Sequence, residues 1–350
     1  MKHRRDYREI QEEIVRLKRR YGKELVILTH HYQRKDIVDL GDFQGDSFGL
    51  SQKAAADSVA RYIVFCGVHF MAESAAVLAQ KHQVVQIPDL EAGCWMADMA
   101  DAYVVEKAWK EVSGIVGEKS LMPIVYMNSD ALIKAHCGRN GGLVCTSSNA
   151  KDAFKWAFER KEKIFFFPDE HLGRNTGNRL GISPSEMIVW DPEKKLGGNT
   201  EKMIRNAKLI LWRGYCLVHT RFTEQDVKSM KESNPDALIL VHPECTQEVV
   251  ALADAAGSTS YIVKYVAEAP KGSTIAVGTE INLIKRLALA YPDKKVIPLK
   301  ESFCPNMYKI DPSKLLYTLE NIGEYNRVVV PEETASDARL ALDRMLDLSS

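Results

Sequence analysis

Net charge, long apolar runs and an export signal are all missing from this chain of 350 residues. Its 47 basic residues are balanced by 47 acidic ones, which excludes a general attraction to nucleic acid or to an anionic membrane surface. No apolar run is long enough to cross a bilayer, and the basic N-terminal stretch lacks the apolar segment of a secretory signal. The GxGxxG, Walker and HExxH motifs are absent as well. The composition is that of an ordinary globular protein.

Seven cysteines are spread along the chain, and an odd number argues against a disulfide framework. We therefore expect a reducing cytoplasmic environment, in which a cysteine is a buried apolar residue, a metal ligand or a nucleophile. Cys66 lies in an apolar run and is interpreted as a core residue. For Cys137 and Cys145 we favour plain thiols over a labile disulfide or a second metal site. Cys245 is considered as a further metal ligand, but its place in a first-strand cluster argues against that role.

Short β-rich runs alternate with helical patterns, which is typical of βα units with parallel sheets. The runs form three sets: first strands begin at 25, 123 and 237, second strands at 62, 163 and 274, and third strands at 84, 186 and 295. The intervals agree within three residues from set to set, which indicates an internal repeat. We predict an α/β fold of three homologous αβα units with short parallel sheets around a pseudo-threefold axis, with the active site at the centre.

The predicted units are residues 1–105 with an N-terminal helix, 106–220 with an insertion near 191–208, and 221–350 with a C-terminal helix. Each first strand leads into a polar cluster, and each third strand is followed by a cysteine. The clusters are THHYQ at 29–33, YMNSD at 126–130 and VHPEC at 241–245, and the cysteines are Cys94, Cys216 and Cys304. Ligands bind at the carboxyl ends of parallel strands, so equivalent positions of three units would meet near a common axis.

Three thiolates that arrive from separate loops suit a metal centre. Zinc with three cysteine ligands is one interpretation, although structural zinc usually takes paired cysteines and four protein ligands. A 4Fe–4S cluster on the three cysteines is the interpretation we favour. Such a cluster would keep one open iron that can act as a Lewis acid on a substrate.

The polar clusters supply candidates for acid–base chemistry and for orienting carboxylates. These are His30, Tyr32, Tyr126, Asn128, His242 and Glu244. Hydroxyl-rich turns that open helices follow the clusters, and they contain Ser47, Ser147, Ser148, Ser258 and Thr259. A hydroxyl at a helix start holds a carboxylate or phosphate, or it simply caps the helix, and the sequence favours neither function over the other.

The motifs THHYQ, GDSFGLS, FCGVHFMAE, PDLEAGC, CTSSNA, GYCLVHTRF, HPEC, GSTS, GTE and CPNM follow one another in this order. In this respect the chain resembles quinolinate synthase, from about residue 24 to 345. The resemblance implies three αβα units and a 4Fe–4S cluster held by Cys94, Cys216 and Cys304. It also implies a transferase that condenses iminoaspartate with dihydroxyacetone phosphate to quinolinate, with loss of phosphate and water, in pyridine nucleotide and NAD biosynthesis.

By the same matching, the substrates are expected to contact polar residues of all three units. These are His30, Tyr32, Ser47, Tyr126, Met127, Asn128, Ser147, His242, Pro243, Glu244, Ser258 and Thr259. We hypothesise that Glu244 is the general base, that Tyr32 and Tyr126 shuttle protons, and that His30 and His242 orient anionic groups.

Other functions remain open at this stage. They are a different iron–sulfur hydro-lyase acting on a small dicarboxylate, a non-catalytic iron–sulfur redox sensor, and a zinc-binding scaffold. Functional coupling to L-aspartate oxidase, as the source of an unstable imine, is a further expectation. No nucleic-acid or membrane partner is expected.

Overall fold

The structure is a computed structural model that describes residues 6–348. Within these residues there are thirteen strands and sixteen α-helices. The strands are β1 (Leu25–His30), β2 (Phe43–Gly45), β3 (Tyr62–Cys66), β4 (Val84–Gln86), β5 (Leu121–Tyr126), β6 (Leu143–Cys145), β7 (Lys163–Phe167), β8 (Met187–Trp190), β9 (Leu209–Trp212), β10 (Leu238–Val241), β11 (Ala255–Ala256), β12 (Thr274–Gly278) and β13 (Lys295–Pro298).

The α-helices fill the connections between these strands. They are α1 (Tyr7–Tyr21), α2 (Lys35–Val38), α3 (Ser47–Ala56), α4 (His69–Leu78), α5 (Trp95–Asp98), α6 (Ala102–Val116), α7 (Ala131–Arg139), α8 (Ala150–Phe158), α9 (Glu170–Arg179), α10 (Glu201–Asn206), α11 (Glu224–Ser233), α12 (Gln247–Leu252), α13 (Thr259–Glu268), α14 (Ile281–Ala290), α15 (Pro312–Glu320) and α16 (Glu332–Leu348). Among them, none combines the length and the apolar character that crossing a membrane requires.

The strands form three all-parallel sheets with the orders β2-β1-β3-β4, β6-β5-β7-β9-β8 and β11-β10-β12-β13. The first long strand of each sheet lies between a short edge strand and the second long strand. This order occurs three times, so the predicted α/β fold of three αβα units is confirmed. The edge strands β2, β6 and β11 are only two or three residues long, too short for a periodic pattern, and the sequence analysis missed them.

The second sheet corrects one prediction. The run beginning at 186 was predicted as the third strand of its unit, but it forms β8 at the sheet edge. The strand beside β7 is β9, in the place that β4 and β13 occupy in the other sheets. Both runs are short and apolar, and such a pattern cannot tell an inner strand from an edge strand. The segment near 191–208 thus connects two parallel neighbours and contains α10.

The chain forms two compact units, and the first contains the described residues up to Cys94 together with Cys304–Pro331. Its sheet is β2-β1-β3-β4, with β1 buried along its whole length. Helix α1 opens with a capping box of Asp6 and Glu9, buries Ile14 and Leu17, and packs against α15. The charged N-terminal segment therefore forms a surface helix with one buried apolar stripe.

The second unit contains Trp95–Phe303 and the described residues from Glu332 onward, and it holds the other two sheets. Helix α16 packs against α7 and β6. The contact is close at Gly138, where a Cβ would lie 1.9 Å from the carbonyl oxygen of Asp337. The predicted boundaries near 105 and 220 and the common axis of the three repeats stay predictions.

The carboxyl ends of the strands carry the polar clusters. Strands β1 and β5 end at His30 and Tyr126, and β10 ends at Val241, directly before His242. The cysteines at 94, 216 and 304 follow the ends of β4, β9 and β13 at Gln86, Trp212 and Pro298. Parallel sheets direct these ends to one edge, so each sheet presents its chemistry-bearing residues on one side.

Candidate active site and metal ligands

The loop between β10 and α12 carries the only acidic side chain of the VHPEC segment, Glu244, into the protein interior. Glu244 is 2 % exposed and His242 is also 2 % exposed. The backbone N–H of Glu244 donates to Nδ1 of His242 at 3.3 Å, and the N–H of Cys245 donates to the carbonyl oxygen of His242 at 3.0 Å. The segment therefore makes a tight turn that points its carboxylate inward.

Glu244 has a polar partner on each of its two oxygens. The hydroxyl of Tyr126 donates to Oε1, and Nδ1 of His219 lies 2.7 Å from Oε2. Nε2 of His219 lies 3.2 Å from the hydroxyl of Thr279, and its ring stacks on that of His242 with centroids 4.3 Å apart. A phenol, a carboxylate and two imidazoles thus form one buried network drawn from the strand ends of the second and third sheets.

Electrostatics keep Glu244 ionised in this network. Burial alone would raise its pKa, but the neighbouring His219 and His242 and the hydrogen bonds from His219 and Tyr126 outweigh it and lower the pKa to about 2. The pKa of a second buried carboxyl, Asp169, shifts in the opposite direction. Burial and the charge of Glu244 raise its pKa well above the ordinary value. Two nearby acids with opposite shifts are characteristic of sites that handle protons.

Sequence reasoning missed three members of this region, His219, Thr279 and Asp169. Each follows a strand that ends at the same edge as the predicted clusters: Thr279 comes directly after β12, and Asp169 lies two residues after β7. His219 lies one turn beyond Cys216, and its N–H donates to the carbonyl oxygen of Cys216 at 3.1 Å. Applying the strand-end rule to the second strands as well as the first would have identified two of them.

The YMNSD loop adds a polar group that has no hydrogen-bond partner among residues 6–348. Oδ1 of Asn128 is buried without a hydrogen bond, which is costly unless a ligand or water completes it. Met127 is fully buried, and its N–H donates to the carbonyl oxygen of Cys145 at 2.7 Å. The fully buried Lys134 donates from Nζ to the carbonyl oxygen of Ser129 and fixes the end of the loop.

The hydroxyl-rich turns differ in what their side chains do. Ser258 is the N-cap of α13 and accepts from the N–H of Tyr261 at 3.2 Å, with Thr259 as the first helical residue. In contrast, Asp46 caps α3, so Ser47 is already helical. Ser147 lies half-buried in the turn before α8, whose N-cap is Asn149. The capping interpretation therefore holds for Ser258 and does not explain Ser47 or Ser147.

In the first unit, His30 and Tyr32 lie together at the end of β1. The N–H of Tyr32 donates to Nδ1 of His30 at 3.1 Å, and the rings meet edge to face with centroids 4.8 Å apart. His30 is buried and Tyr32 half-buried. The structure thus places these two candidates side by side.

The seven cysteines fall into two groups, and all of them are thiols. Cys66, Cys137, Cys145 and Cys245 are buried, and burial raises the pKa of each, to about 12 for Cys66. Such thiols are poor nucleophiles and poor ligands. Cys94, Cys216 and Cys304 are half-buried, so the three predicted ligands are the three accessible thiols, which fits a soft metal centre.

Two of these three thiols belong to loops that the first unit joins together. Nζ of Lys309 donates to the carbonyl oxygen of Glu91 at 2.6 Å, and Nζ of Lys314 lies 2.6 Å from Oδ2 of Asp89. These bonds connect the loop before Cys94 to the segment after Cys304. In the second unit, the Sγ of Cys216 and ligand atoms of His219 and Glu244 lie within 4.8 Å of one another. The third thiol therefore lies next to the acid–imidazole network.

Three parallel-sheet repeats with a buried acid–imidazole–phenol network and accessible thiols define an α/β enzyme. The family model described as quinolinate synthetase A protein matches residues 12–347. Curated relatives named quinolinate synthase include one from Corynebacterium glutamicum, 47 % identical over 97 % of this chain and 88 % of the relative. Another, from Acidobacterium capsulatum, is 50 % identical over 96 % of this chain and 92 % of the relative. A third, from Geobacillus thermodenitrificans, is 48 % identical over 95 % and 92 %. The chain belongs to the quinolinate synthase family.

Proposed function

We propose that the chain acts as a quinolinate synthase, condensing iminoaspartate with dihydroxyacetone phosphate to quinolinate with release of phosphate and water. The reaction supplies the pyridine ring for NAD. The observation that carries the proposal is the Tyr126–Glu244–His219 network beside Cys216, in a chain that is 50 % identical to a curated relative of that name.

We further propose that Cys94, Cys216 and Cys304 hold a 4Fe–4S cluster. The support is chemical: these are the accessible thiols, while the other four are buried and hard to ionise. When bound by three thiolates, such a cluster supplies a Lewis acid at its fourth iron.

Glu244 is the proposed general base. Ionised and accepting hydrogen bonds on both oxygens, it has no proton of its own to lose and can accept one. Tyr126 can then relay a proton through the hydroxyl that contacts Oε1. His219 fixes the other oxygen and is itself held by Thr279, while His242 is proposed to orient anionic groups. Tyr32, beside His30, is the proposed second proton shuttle.

The substrates together carry two carboxylates and a phosphate, so the site needs anion-binding groups. Helix starts present free backbone N–H groups and a positive partial charge. We propose that the starts of α3, α8 and α13 provide them, with Ser47, Ser147, Ser258 and Thr259 as the hydroxyl donors. The unsatisfied Oδ1 of Asn128, with Met127 and Pro243 as apolar neighbours in the two turns, would complete the substrate contacts.

Anaerobic purification with iron, sulfide and zinc quantitation tests the ligand set, and an assay with both substrates tests the reaction. Cys94→Ala, Cys216→Ala and Cys304→Ala should each lose most of the iron and all quinolinate formation, because each removes one of three thiolates. Cys66→Ala and Cys145→Ala are the controls and should retain both.

Other results would favour other functions. Zinc instead of iron would favour a zinc-binding scaffold, and an intact cluster with no quinolinate from both substrates would favour a different hydro-lyase or a redox sensor. Coupling to L-aspartate oxidase and a cytoplasmic location stay predictions. Measuring the quinolinate yield as increasing amounts of L-aspartate oxidase are added would test the coupling.

A further inference from the structure

The turn that carries Glu244 has no regular secondary structure of its own, since it lies between the end of β10 and the start of α12. A carboxylate that contacts two donors at once needs its backbone fixed, because a shift of about 1 Å in an active site can cost about 10²-fold in rate. Helix α9 of the same unit holds this turn.

Asn175 on α9 holds the turn on both sides of Glu244. Its Nδ2 donates to the carbonyl oxygen of Pro243 at 2.9 Å and to that of Cys245 at 2.8 Å. The side chain is 3 % exposed, and both of its amide protons are used. A primary amide is a neutral group with two protons on one nitrogen, so it can bridge the two carbonyls without adding charge beside Glu244.

Helix α9 is itself fixed firmly to the rest of the unit. Its N-cap Asp169 accepts from the N–H of Leu172 at 2.7 Å. The N–H of Glu170 donates to the carbonyl oxygen of Gly214 at 2.8 Å, two residues before Cys216. Gly173 packs so closely that a Cβ there would lie 2.5 Å from Leu211. One helix thus contacts both the loop of Cys216 and the turn of Glu244.

We propose that Asn175 is a positioning residue for Glu244, which sets the carboxylate against Tyr126 and His219 by holding the peptide groups on either side of it. This inference rests on the proposed function, because its measure is the rate of that reaction. It assigns Asn175 no contact with substrate.

Asn175→Leu removes both donors at similar volume, and Asn178→Leu is the matched control. Asn178 lies one turn further along α9, and its amide makes only an exposed bond of 3.4 Å to Gln247. We expect kcat for Asn175→Leu to fall about 10²-fold, with the KM of both substrates within about threefold and the iron content unchanged. Asn178→Leu should stay within about twofold of the parent.

A double-mutant cycle with Glu244→Asp tests whether Asn175 acts through Glu244. The shorter carboxylate no longer reaches both donors, so Asn175→Leu should reduce its kcat by less than about threefold. The proposal would be overturned if the kcat losses of Asn175→Leu and Glu244→Asp multiply in the double variant. It would also be overturned if Asn175→Leu has the same kcat as Asn178→Leu. If the parent enzyme makes no quinolinate, the proposed function fails instead. Should Asn175→Leu not fold, Asn175→Ala replaces it with the same expectations, because it also removes both donors and adds no charge. Failure of both variants to fold would assign Asn175 to folding and also overturn the proposal.

Discussion

A buried carboxylate is stable only when its oxygens have partners, and Glu244 has Tyr126 on one oxygen and His219 on the other. The network is composed of titratable groups that follow strand ends, and it is our proposed catalytic site. His136 presents a contrast. It is 6 % exposed and packs edge to face on Trp109, with centroids 5.4 Å apart, so its imidazole belongs to the core.

Glu244→Gln should reduce kcat by about 10²-fold or more, because an amide cannot accept from both Tyr126 and His219 and cannot take up a proton. Steady-state kinetics with both substrates measures the effect. Glu248→Gln, an exposed position on the next helix, is the control and should leave kcat unchanged. A Glu244→Gln enzyme with normal turnover would remove Glu244 from the role of base.

His136 should make stability depend on pH. Burial and the charge of Arg139 lower its pKa from 6.5 to about 4. As the pH falls from about 6.5 to about 4, the unfolded chain takes up a proton that the folded chain refuses, so stability is lost over that window. The loss is on the order of 3 kcal/mol.

Denaturant unfolding at several pH values measures this dependence. His136→Phe should flatten the acid side of the stability curve between pH 6.5 and 4, and His82→Phe, on the exposed loop before β4, should not. Equal acid slopes in the parent and His136→Phe would contradict the prediction.

At the scale of elements, the short connections between strands and helices carry the proposed catalytic and metal-ligating residues, and close backbone packing holds these connections in place. Gly214 shows how little space is left between the start of α9 and the loop of Cys216, since a Cβ there would lie 2.3 Å from the carbonyl oxygen of Pro168. A backbone atom cannot move aside as a flexible side chain can.

Gly214→Ala should therefore displace the Cys216 loop, lower stability by about 1–3 kcal/mol and reduce both iron content and quinolinate formation. Gly114→Ala is the control, because Gly114 lies in α6 with nothing within 4 Å of its added Cβ. That variant should gain about 0.5–1 kcal/mol. Iron retention equal in the two variants would show that the loop tolerates the Cβ.

At the scale of the whole molecule, helix α16 packs against α7 and β6, with Ala338, Ala341, Leu342 and Met345 on its buried face. A chain that ends at Pro331 would expose the surface under this helix. We expect either insoluble protein or a Tm lowered by more than about 10 °C, compared with a chain that ends at Leu348. Soluble yield and thermal unfolding measure the difference, and an unchanged Tm would contradict it.

The repeat was predictable from the sequence because the interval from first to second strand agrees within three residues in all three units, and each first strand leads into a polar cluster. Spacing could not predict that β9 is the inner strand and β8 the edge strand. MIVW in β8 and LILW in β9 are equally apolar, so only the folded sheet decides which of them is inner. The spacing also could not predict which histidine side chain contacts Glu244. His219 comes from a loop after β9, and its partner follows β10, so the pair exists only after folding.

The cysteines show what position within the repeat can predict. Their equivalent positions predicted a ligand triplet, and their accessibility sets the same three apart from the buried four. Asn175 had no such signal, because an asparagine inside a helix is ordinary in sequence and its two carbonyl partners lie about seventy positions away.

The discontinuity of the first unit has a consequence for biogenesis. Cys94 is translated before the residues that complete its unit, Cys304–Pro331, and more than two hundred others lie between them. Since nascent domains fold as they emerge, this one has to wait while its neighbour is synthesised. Any inorganic cofactor that needs both thiols can be installed only after the segment containing Cys304 has been translated.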